Sequence, residues 1–333
     1  GASLKLHEQL MLQLLQARAC GALPLYRASL PESVNLLRDW DDEALTRLQC
    51  AELCSTISAQ RENVISSCER VSAAVVAHGL SAPPHDVLAW AESMVRSRAL
   101  SAADKDGRQL MLLVPLFDLV NHRGSGTYEG SGADTAPPVL LTADGMIVLC
   151  ARHNMHAGEE VTIDYNSDGG NAHLLLNYGF AERVHDDRCR RPEPLVLRWA
   201  EAGSTGRPLE LGSMQLDAHA VSAVRCSLGL SVTSDGTYTL DNERAVCAVI
   251  RAACMRTLQL KPTSAVEDEH ELQNAQTEPN TQLASALKYR LGQKRQLLRV
   301  VHELDMLGRS GCPQGALDAL RCARENSASV PYI

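Results

Sequence analysis

The chain has 333 residues and a formal net charge of −8 at neutral pH. Hydrophobic residues make up 45% of it and charged residues 22%, the balance of an ordinary globular protein with a sizeable core. The acidic balance argues against nucleic acid as the main partner, because phosphate binding needs a basic face. No stretch reaches the roughly 18 uncharged apolar residues of a membrane span. We therefore expect neither a nucleic acid nor a membrane as partner, and the oligomeric state stays open.

The eleven cysteines are scattered along the chain and form no CxxC pair. Cys50 and Cys54 are four residues apart on a predicted helix, where small buried side chains are common. This usage predicts free, reduced and mostly buried thiols rather than a disulfide framework. It favours an intracellular protein, with cytoplasm, nucleus and chloroplast all left open.

The first hundred residues predict a block of helices. An apolar stripe runs from Leu6 to Leu14, Asp41-Asp42 precedes a second helical run, residues 62–78 form a third, and Pro83-Pro84 opens a fourth. The chain begins with Gly rather than Met and runs directly into the first helix. We therefore expect it to begin partway through a gene product.

Short strands are predicted after Leu100. Residues 110–120 are a continuous apolar run of strand length, and a glycine-rich loop follows at 124–132. The apolar runs 138–143 and 146–152 meet at Asp144-Gly145, a hairpin signal, and 159–165 is a further strand. Short strands among helices favour an α+β fold over βαβ repeats.

From about Cys189 the pattern becomes mainly helical again. The acidic, polar stretch 260–280 predicts a mobile loop. The other predicted elements are a strand at 193–200, helices at 215–229, 242–257 and 282–307, and a hairpin at 231–240.

Several familiar kinds of site find little support. The glycines between 124 and 132 miss the GxGxxG spacing and precede no helix, and the P-loop and nucleophile-elbow patterns are absent. Asp118, His122, His153 and His156 could be imagined as metal ligands, but no HExxH or Cys/His cluster accompanies them. Solvated or locally hydrogen-bonded histidines account for these positions equally well.

Three segments combine polar and aromatic residues with apolar runs. VPLFDLVNH ends in Asn121-His122, AGEEVTIDYN contains Tyr165, and NAHLLLNYGF contains Tyr178 and Phe180. Each has an ordinary structural explanation: the first begins a turn, the second is strand packing, and the third is a helix C-cap with packing aromatics. Taken singly, none of them indicates a function.

Taken together, and with WAESMVRSRAL at 90–100, these segments resemble the SET-domain methyltransferases of the Rubisco large-subunit lysine methyltransferase branch. The segment ALKYRLGQKRQLL is similar to the helical substrate-binding domain of that branch. The resemblance implies an α+β fold, with a SET core of small β-sheets and a pseudoknot. It implies a helical insertion at 1–95, the C-terminal half of SET at 96–187 and a mainly helical substrate-binding-like domain at 188–333. The N-terminal SET strands with their glycine-containing cofactor loop have no counterpart here, so we expect either an incomplete gene product that begins after them or a degenerate member of the family.

The resemblance also implies a cofactor, S-adenosylmethionine, and residues that hold it. The Asn121 side chain would contact the amino acid end of the cofactor, and the His122 main chain would contact adenine. Arg98 would reach the cofactor's carboxylate, and Phe180 would pack near the adenine. No metal is required, because the cofactor carries the reactive group.

The activity implied is S-adenosylmethionine-dependent protein-lysine N-methylation of a non-histone protein. Tyr165 would be the catalytic tyrosine, with its hydroxyl directed at the methyl-transfer site, and Tyr178 would line the channel for the lysine. Two alternatives stay open: a protein-histidine N-methyltransferase, and a catalytically inactive or incomplete SET-family module that binds a partner protein.

Overall fold

A computed structural model describes residues 3–104, 106–123, 139–141, 145–151, 154–165, 170–182, 195–197, 209–211, 218–231, 238–275 and 281–310. The helices are α1 (Leu6–Ala19), α2 (Pro24–Ser29), α3 (Asp42–Thr46), α4 (Ala51–Ala77), α5 (His85–Arg98), α6 (Gly170–Tyr178), α7 (Ala218–Ser227), α8 (Leu240–Gln259), α9 (Ala265–Asn274) and α10 (Gln282–Ser310), with 3-10 turns at Leu37–Asp39 and Phe117–Leu119. The strands are β1 (Leu100–Ala103), β2 (Gln109–Leu112), β3 (Asn121–His122), β4 (Val139–Leu141), β5 (Ile147–Leu149), β6 (Thr162–Ile163), β7 (Leu195–Leu197) and β8 (Leu209–Leu211).

The N-terminal helical block follows the apolar pattern of the sequence. Helices α1, α4 and α5 pack on one another around buried residues such as Met11, Val71 and Met94. The Asp41 carboxylate caps α3 by accepting from the Ala44 amide at 2.7 Å, as the sequence predicts. The helix expected at 62–78 is longer, since α4 already begins at Ala51.

The strands form small two-stranded sheets, which confirms the α+β class. β1 pairs antiparallel with β2, and β4 pairs antiparallel with β5 as the Asp-Gly signal predicts. Gly145 lies in that turn with φ +84°, while Asp144 lies outside the described residues. β3 and β6 pair in parallel, with Asn121 opposite Thr162 and His122 opposite Ile163. This short parallel ladder joins two segments about forty residues apart in the chain.

Two predicted strands are shorter in the structure. The apolar run 110–120 is not one strand: β2 ends at Leu112, and a turn and a 3-10 helix follow. The physical reason is Pro115, whose missing N–H cannot donate to a sheet ladder. The next residue, Leu116, has φ +75°, which also breaks an extended chain. Likewise only Thr162–Ile163 of the run 159–165 forms strand pairing.

The prediction of a mobile loop over 260–280 is wrong for most of that stretch, because α9 occupies Ala265–Asn274. Ser264 and Glu267 form a reciprocal capping box, and Leu272 is buried with 3% exposure. Of the acidic residues that make the stretch look unstructured, Asp268 is fully buried, whereas Glu267 and Glu271 are exposed and serve in the capping box and in an ion pair with Arg290. Residues 276–280 lie outside the described part of the chain.

A buried ionic cluster joins α9 to α10. The Asp268 carboxylate, fully buried, accepts from Lys294 Nζ at 2.5 Å and from Arg290 Nε at 2.9 Å. Arg290 Nη1 also donates to the main-chain oxygen of Arg47, and Lys261 Nζ donates to that of Gln49. Removing one partner of such a buried pair costs about 3–5 kcal/mol, so the cluster fixes the C-terminal helices against the N-terminal block.

A central apolar cluster spans the N-terminal block, α6 and α10. Helix α6 packs against α5, α10 and the 3-10 turn at Leu37–Asp39. The buried members of the cluster are Leu37, Trp40, Ala44, Leu45, Leu48, Leu53, Ile57, Leu175, Ala181, Ala286 and Tyr289. Because α6 is held on three sides, the residues at its C-terminal end are fixed relative to the rest of the molecule.

The turn after α6 depends on a glycine. Gly179 has φ +82°, and a Cβ atom placed on it would lie 2.2 Å from the Asn35 main-chain oxygen. Its amide donates to the Leu174 oxygen at 3.0 Å, which closes the helix as a C-cap. The Tyr-Gly-Phe sequence is therefore the helix ending that its pattern predicts, seated directly on the N-terminal block.

Two further expectations can be compared with the structure. All cysteines in the described residues are free, but only Cys68 and Cys254 are buried, and Cys20 and Cys226 are exposed. The expectation of mostly buried thiols is thus wrong. In the described part of the chain, no helix is both long and apolar enough to cross a bilayer. The glycine-rich loop at 124–132 and the centre of the predicted hairpin at 231–240 lie outside the described residues.

We predict that Gly179→Ala lowers the free energy of unfolding by about 2–4 kcal/mol, since backbone strain adds to a clash with main-chain atoms. Gly79 is the matched control: it follows α4 with φ +76°, and an added Cβ there meets nothing within 4 Å. Gly79→Ala should therefore cost only about 1 kcal/mol. Denaturant unfolding of both variants measures the difference, and equal losses would contradict the close approach.

Candidate active site

The β3–β6 ladder places the Asn-His pair beside the segment that leads to Tyr165. The Arg123 amide donates to the Ile163 oxygen at 2.9 Å and extends the ladder by one bond. The Asn121 side chain is exposed at its edge, and its Nδ2 atom donates to Glu160 Oε1 at 2.6 Å. Asn121 therefore presents a polar group whose orientation is already set by a carboxylate.

Tyr165 is held at two points by residues of the β3 segment. Its amide donates to His122 Nδ1 at 3.1 Å, and its hydroxyl donates to the Val120 main-chain oxygen at 2.7 Å. Because Nδ1 accepts a hydrogen bond, a neutral His122 carries its proton on Nε2. That nitrogen lies 3.2 Å from Glu182 Oε1, and the His122 side chain is only 4% exposed.

Four predicted site residues form one aromatic cluster. Tyr165 and Tyr178 have ring centroids 4.5 Å apart, and His122 lies 5.2 Å from Tyr165 and 5.6 Å from Phe180. Such tilted arrangements within about 7 Å are the favourable geometry for ring pairs. Tyr178 and Phe180 reach the cluster from either side of Gly179, so the α6 turn and the β3–β6 ladder build the wall together.

Arg98 lies at the base of this site, at the end of α5. Its Nη1 atom donates to the Asp118 main-chain oxygen at 2.6 Å, and the Asp118 carboxylate accepts from the Tyr26 hydroxyl at 2.7 Å. Within the described residues, Arg98 Nε and Asp118 Oδ1 are buried without a hydrogen-bond partner. A buried donor left unpaired is unfavourable, so Arg98 retains capacity for an anionic group.

Burial keeps both site phenols protonated. It raises the pKa of Tyr178 to about 12, with further contributions from neighbouring Tyr165 and Asp164. It also raises the pKa of Tyr165, although the positive charge of Arg98 acts in the opposite direction. Both hydroxyls are therefore neutral at physiological pH, and each can donate and accept hydrogen bonds but cannot serve as a strong base.

The site contains residues that the sequence did not indicate. Glu160 and Glu182 contact the Asn-His pair, and Tyr26 reaches Asp118 across 92 positions of sequence. Glu182 and Tyr26 stand outside the segments that carry the resemblance, and Tyr26 is distant in the chain. The sequence feature that could have indicated Glu160 is the pair of adjacent glutamates in the AGEEVTIDYN segment.

The metal alternative gains no support. Among the residues that the structure describes, no group of three or more His, Cys, Asp and Glu side chains could hold a metal ion. The Asp118 carboxylate instead accepts from the Tyr26 hydroxyl. The two ring nitrogens of His122 face the Tyr165 amide and the Glu182 carboxylate. His153 lies outside the described residues.

The C-terminal region matches a known family model. Residues 207–297 match the model described as Rubisco LSMT substrate-binding. The stretch lies within the region 188–333 for which the sequence predicts a mainly helical substrate-binding-like domain, and it includes α7, α8 and α9. The model covers about a quarter of the chain and leaves the residues of the aromatic cluster outside it.

Two curated proteins are similar along most of the chain. The chloroplastic [fructose-bisphosphate aldolase]-lysine N-methyltransferase of Arabidopsis thaliana is 27% identical over 83% of this chain and 63% of its own length. The chloroplastic Rubisco large-subunit N-methyltransferase of Nicotiana tabacum is 26% identical over 83% of this chain and 62% of its own length. The chain thus spans less than two thirds of these relatives.

A solved structure shares the fold. The SET domain of LSMT bound to methyllysine and AdoHcy superposes with a TM-score of 0.65, covering 99% of this chain and 81% of that one at 22% identity. The chain is thus similar to the Rubisco large-subunit methyltransferase-like SET proteins in its substrate-binding region and along most of its sequence, and it shares the fold of the LSMT SET domain.

Proposed function

We propose that the chain is an S-adenosylmethionine-dependent protein-lysine N-methyltransferase acting on a non-histone protein. The observation that carries this proposal is the aromatic cluster of His122, Tyr165, Tyr178 and Phe180, with the Tyr165 hydroxyl anchored to a main-chain oxygen. The two curated relatives, both named as N-methyltransferases, support it, as does the methyllysine bound in the similar solved structure.

The residues at the base and edge of the site suit the cofactor. Arg98 offers a cationic group with an unpaired buried donor for a carboxylate, and Asn121 offers an exposed amide. His122 would contribute its main chain, and Phe180 an apolar ring face for adenine. When bound, S-adenosylmethionine supplies a methyl group on a positively charged sulfur, so no metal is needed for this transfer.

The aromatic wall favours a neutral lysine. A free lysine has a pKa of about 10.4, so deprotonation at neutral pH costs about 4–5 kcal/mol. A dry channel walled by Tyr165 and Tyr178 lowers that pKa by desolvation, and the positive charge of Arg98 acts in the same direction. The wall therefore reduces the cost of producing the amine lone pair that attacks.

The Tyr165 hydroxyl can orient that amine. Its proton is donated to the Val120 oxygen, so the lone pairs of its oxygen are left to accept an N–H from an incoming lysine. Methyl transfer is an in-line displacement, and its rate depends strongly on the alignment of nucleophile and leaving group. Tyr178 packs against Tyr165 with ring centroids 4.5 Å apart, so it would extend the same aromatic wall of the channel.

The division of the chain into a helical insertion at 1–95, the C-terminal half of SET at 96–187 and a substrate-binding-like domain at 188–333 is part of the proposal. The match of residues 207–297 to the substrate-binding model supports the third region. Free thiols throughout the described residues fit the reducing intracellular compartment that we propose for the protein.

We predict that Tyr165→Phe lowers turnover roughly 100-fold, because the amine loses the acceptor that aligns it, while cofactor affinity changes less than about twofold. Methyl transfer to a protein substrate and calorimetry with S-adenosylmethionine measure the two quantities. Tyr238→Phe is the control, since that ring stacks under Arg225 in the C-terminal helical region. Unchanged turnover in Tyr165→Phe would remove the residue from this role.

A second prediction concerns Tyr178 at high pH. Folding raises its pKa from 10 to about 12, so folding favours the neutral phenol. The resulting stability is fully present below pH 10 and is lost as the pH rises from about 10 to 12, by at most about 1.4 kcal/mol per pH unit. Wild-type protein should therefore lose unfolding free energy more steeply across this range than Tyr178→Phe. Identical slopes would contradict the burial of the phenol.

A further inference from the structure

Glu182 is fixed in place by helix α6. Its amide donates to Asn171 Oδ1 at 2.7 Å, and Asn171 Nδ2 donates back to the Glu182 main-chain oxygen at 3.1 Å. Asn171 is buried, with 5% exposure, in the first turn of α6. The turn after Tyr178 therefore folds back along its own helix, and the position of Glu182 is set by that helix.

This placement brings the Glu182 carboxylate to His122. Glu182 Oε1 lies 3.2 Å from His122 Nε2, an ion-pair distance without the alignment of a full hydrogen bond. The other ring nitrogen, Nδ1, accepts from the Tyr165 amide. In the neutral ring the proton is then on Nε2, and the carboxylate is the acceptor group that faces it.

We propose that Glu182 is a positioning residue of the methyl-transfer site. Its carboxylate selects the His122 tautomer protonated on Nε2, and this tautomer holds the Tyr165 main chain. The effect on turnover rests on the function proposed above, whereas the effect on the tautomer does not depend on it.

The consequence for Tyr165 follows from hydrogen-bond chemistry. If the proton moved to Nδ1, that nitrogen and the Tyr165 amide would both be donors facing each other at 3.1 Å. The Tyr165 main chain would then have to move away from His122. The Tyr165 hydroxyl opposes that movement, because it donates to the Val120 main-chain oxygen at 2.7 Å. The His122 ring also contacts Tyr165 and Phe180, so a change of its orientation displaces the aromatic wall as well.

The tautomer can be measured directly in the whole chain by ¹⁵N NMR of labelled imidazoles. The signals of His122 are those lost in His122→Asn. We expect wild type and Glu182→Gln, whose carbonyl can still face the N–H, to show only the Nε2-protonated form. Glu182→Ala should show a mixture of both tautomers. A single Nε2-protonated form in Glu182→Ala would overturn the proposal, whether or not the chain binds a cofactor.

Turnover provides the second readout. Glu182→Ala should lower kcat at least about fivefold, with KM for the protein substrate within about twofold, and Glu182→Gln should restore most of the loss. Asp305→Ala is the matched control, because Asp305 is also 41% exposed and pairs with Arg251 in the C-terminal helices. A loss in Glu182→Ala no larger than in Asp305→Ala would overturn the positioning role. Absence of methyl transfer in wild type would count against the proposed function, and the tautomer measurement would still decide the role of Glu182.

Discussion

The contact between Gly179 and the main chain of Asn35 determines where the aromatic residues of the site lie. A methyl group at Gly179 would come within 2.2 Å of the Asn35 oxygen, so the α6 turn and the N-terminal block meet backbone to backbone. Leu36, the next residue, is fully buried, and the Asn35 side chain accepts from Gln282 at the start of α10. The block, α6 and α10 thus converge on one turn. Tyr178, immediately before Gly179, is held in place by this close backbone contact.

A second constraint comes from the shortness of the β3–β6 ladder. Two paired residues are too few to be stable by themselves, so side-chain bonds must hold the ladder in register. His122 supplies them: it accepts from the Tyr165 amide, faces the Glu182 carboxylate and contacts the Phe180 ring. The ladder and the α6 turn are consequently linked through one buried imidazole. The geometry of the candidate site therefore depends on the contacts of His122 more than on the β3–β6 ladder or helix α6 alone.

The sequence predicted most of the helices and strands, but few of the contacts that hold the site residues in place. Helical periodicity was enough to predict helices α5 and α10, and the Asp144-Gly145 pair was enough to predict the β4–β5 hairpin. Helix α9 was missed because its acidic composition resembles a loop, and only tertiary structure shows Asp268 paired with buried cations. The gathering of the site residues was expected only from the family resemblance, since each segment by itself had an ordinary structural explanation. The Tyr26–Asp118 bond, between residues 92 positions apart, left no local signal at all.

Cofactor binding tests the central claim most directly. Calorimetric titration of the folded chain with S-adenosylmethionine should give saturable binding at one site. Asn121→Ala should weaken that binding roughly three- to tenfold, as expected for the loss of one hydrogen bond worth about 1 kcal/mol. Asn242→Ala, which removes an exposed amide bonded to the Ser231 oxygen in the C-terminal helices, should bind like wild type. Absence of binding heat in a protein with a cooperative unfolding transition would contradict the assignment of this site to S-adenosylmethionine.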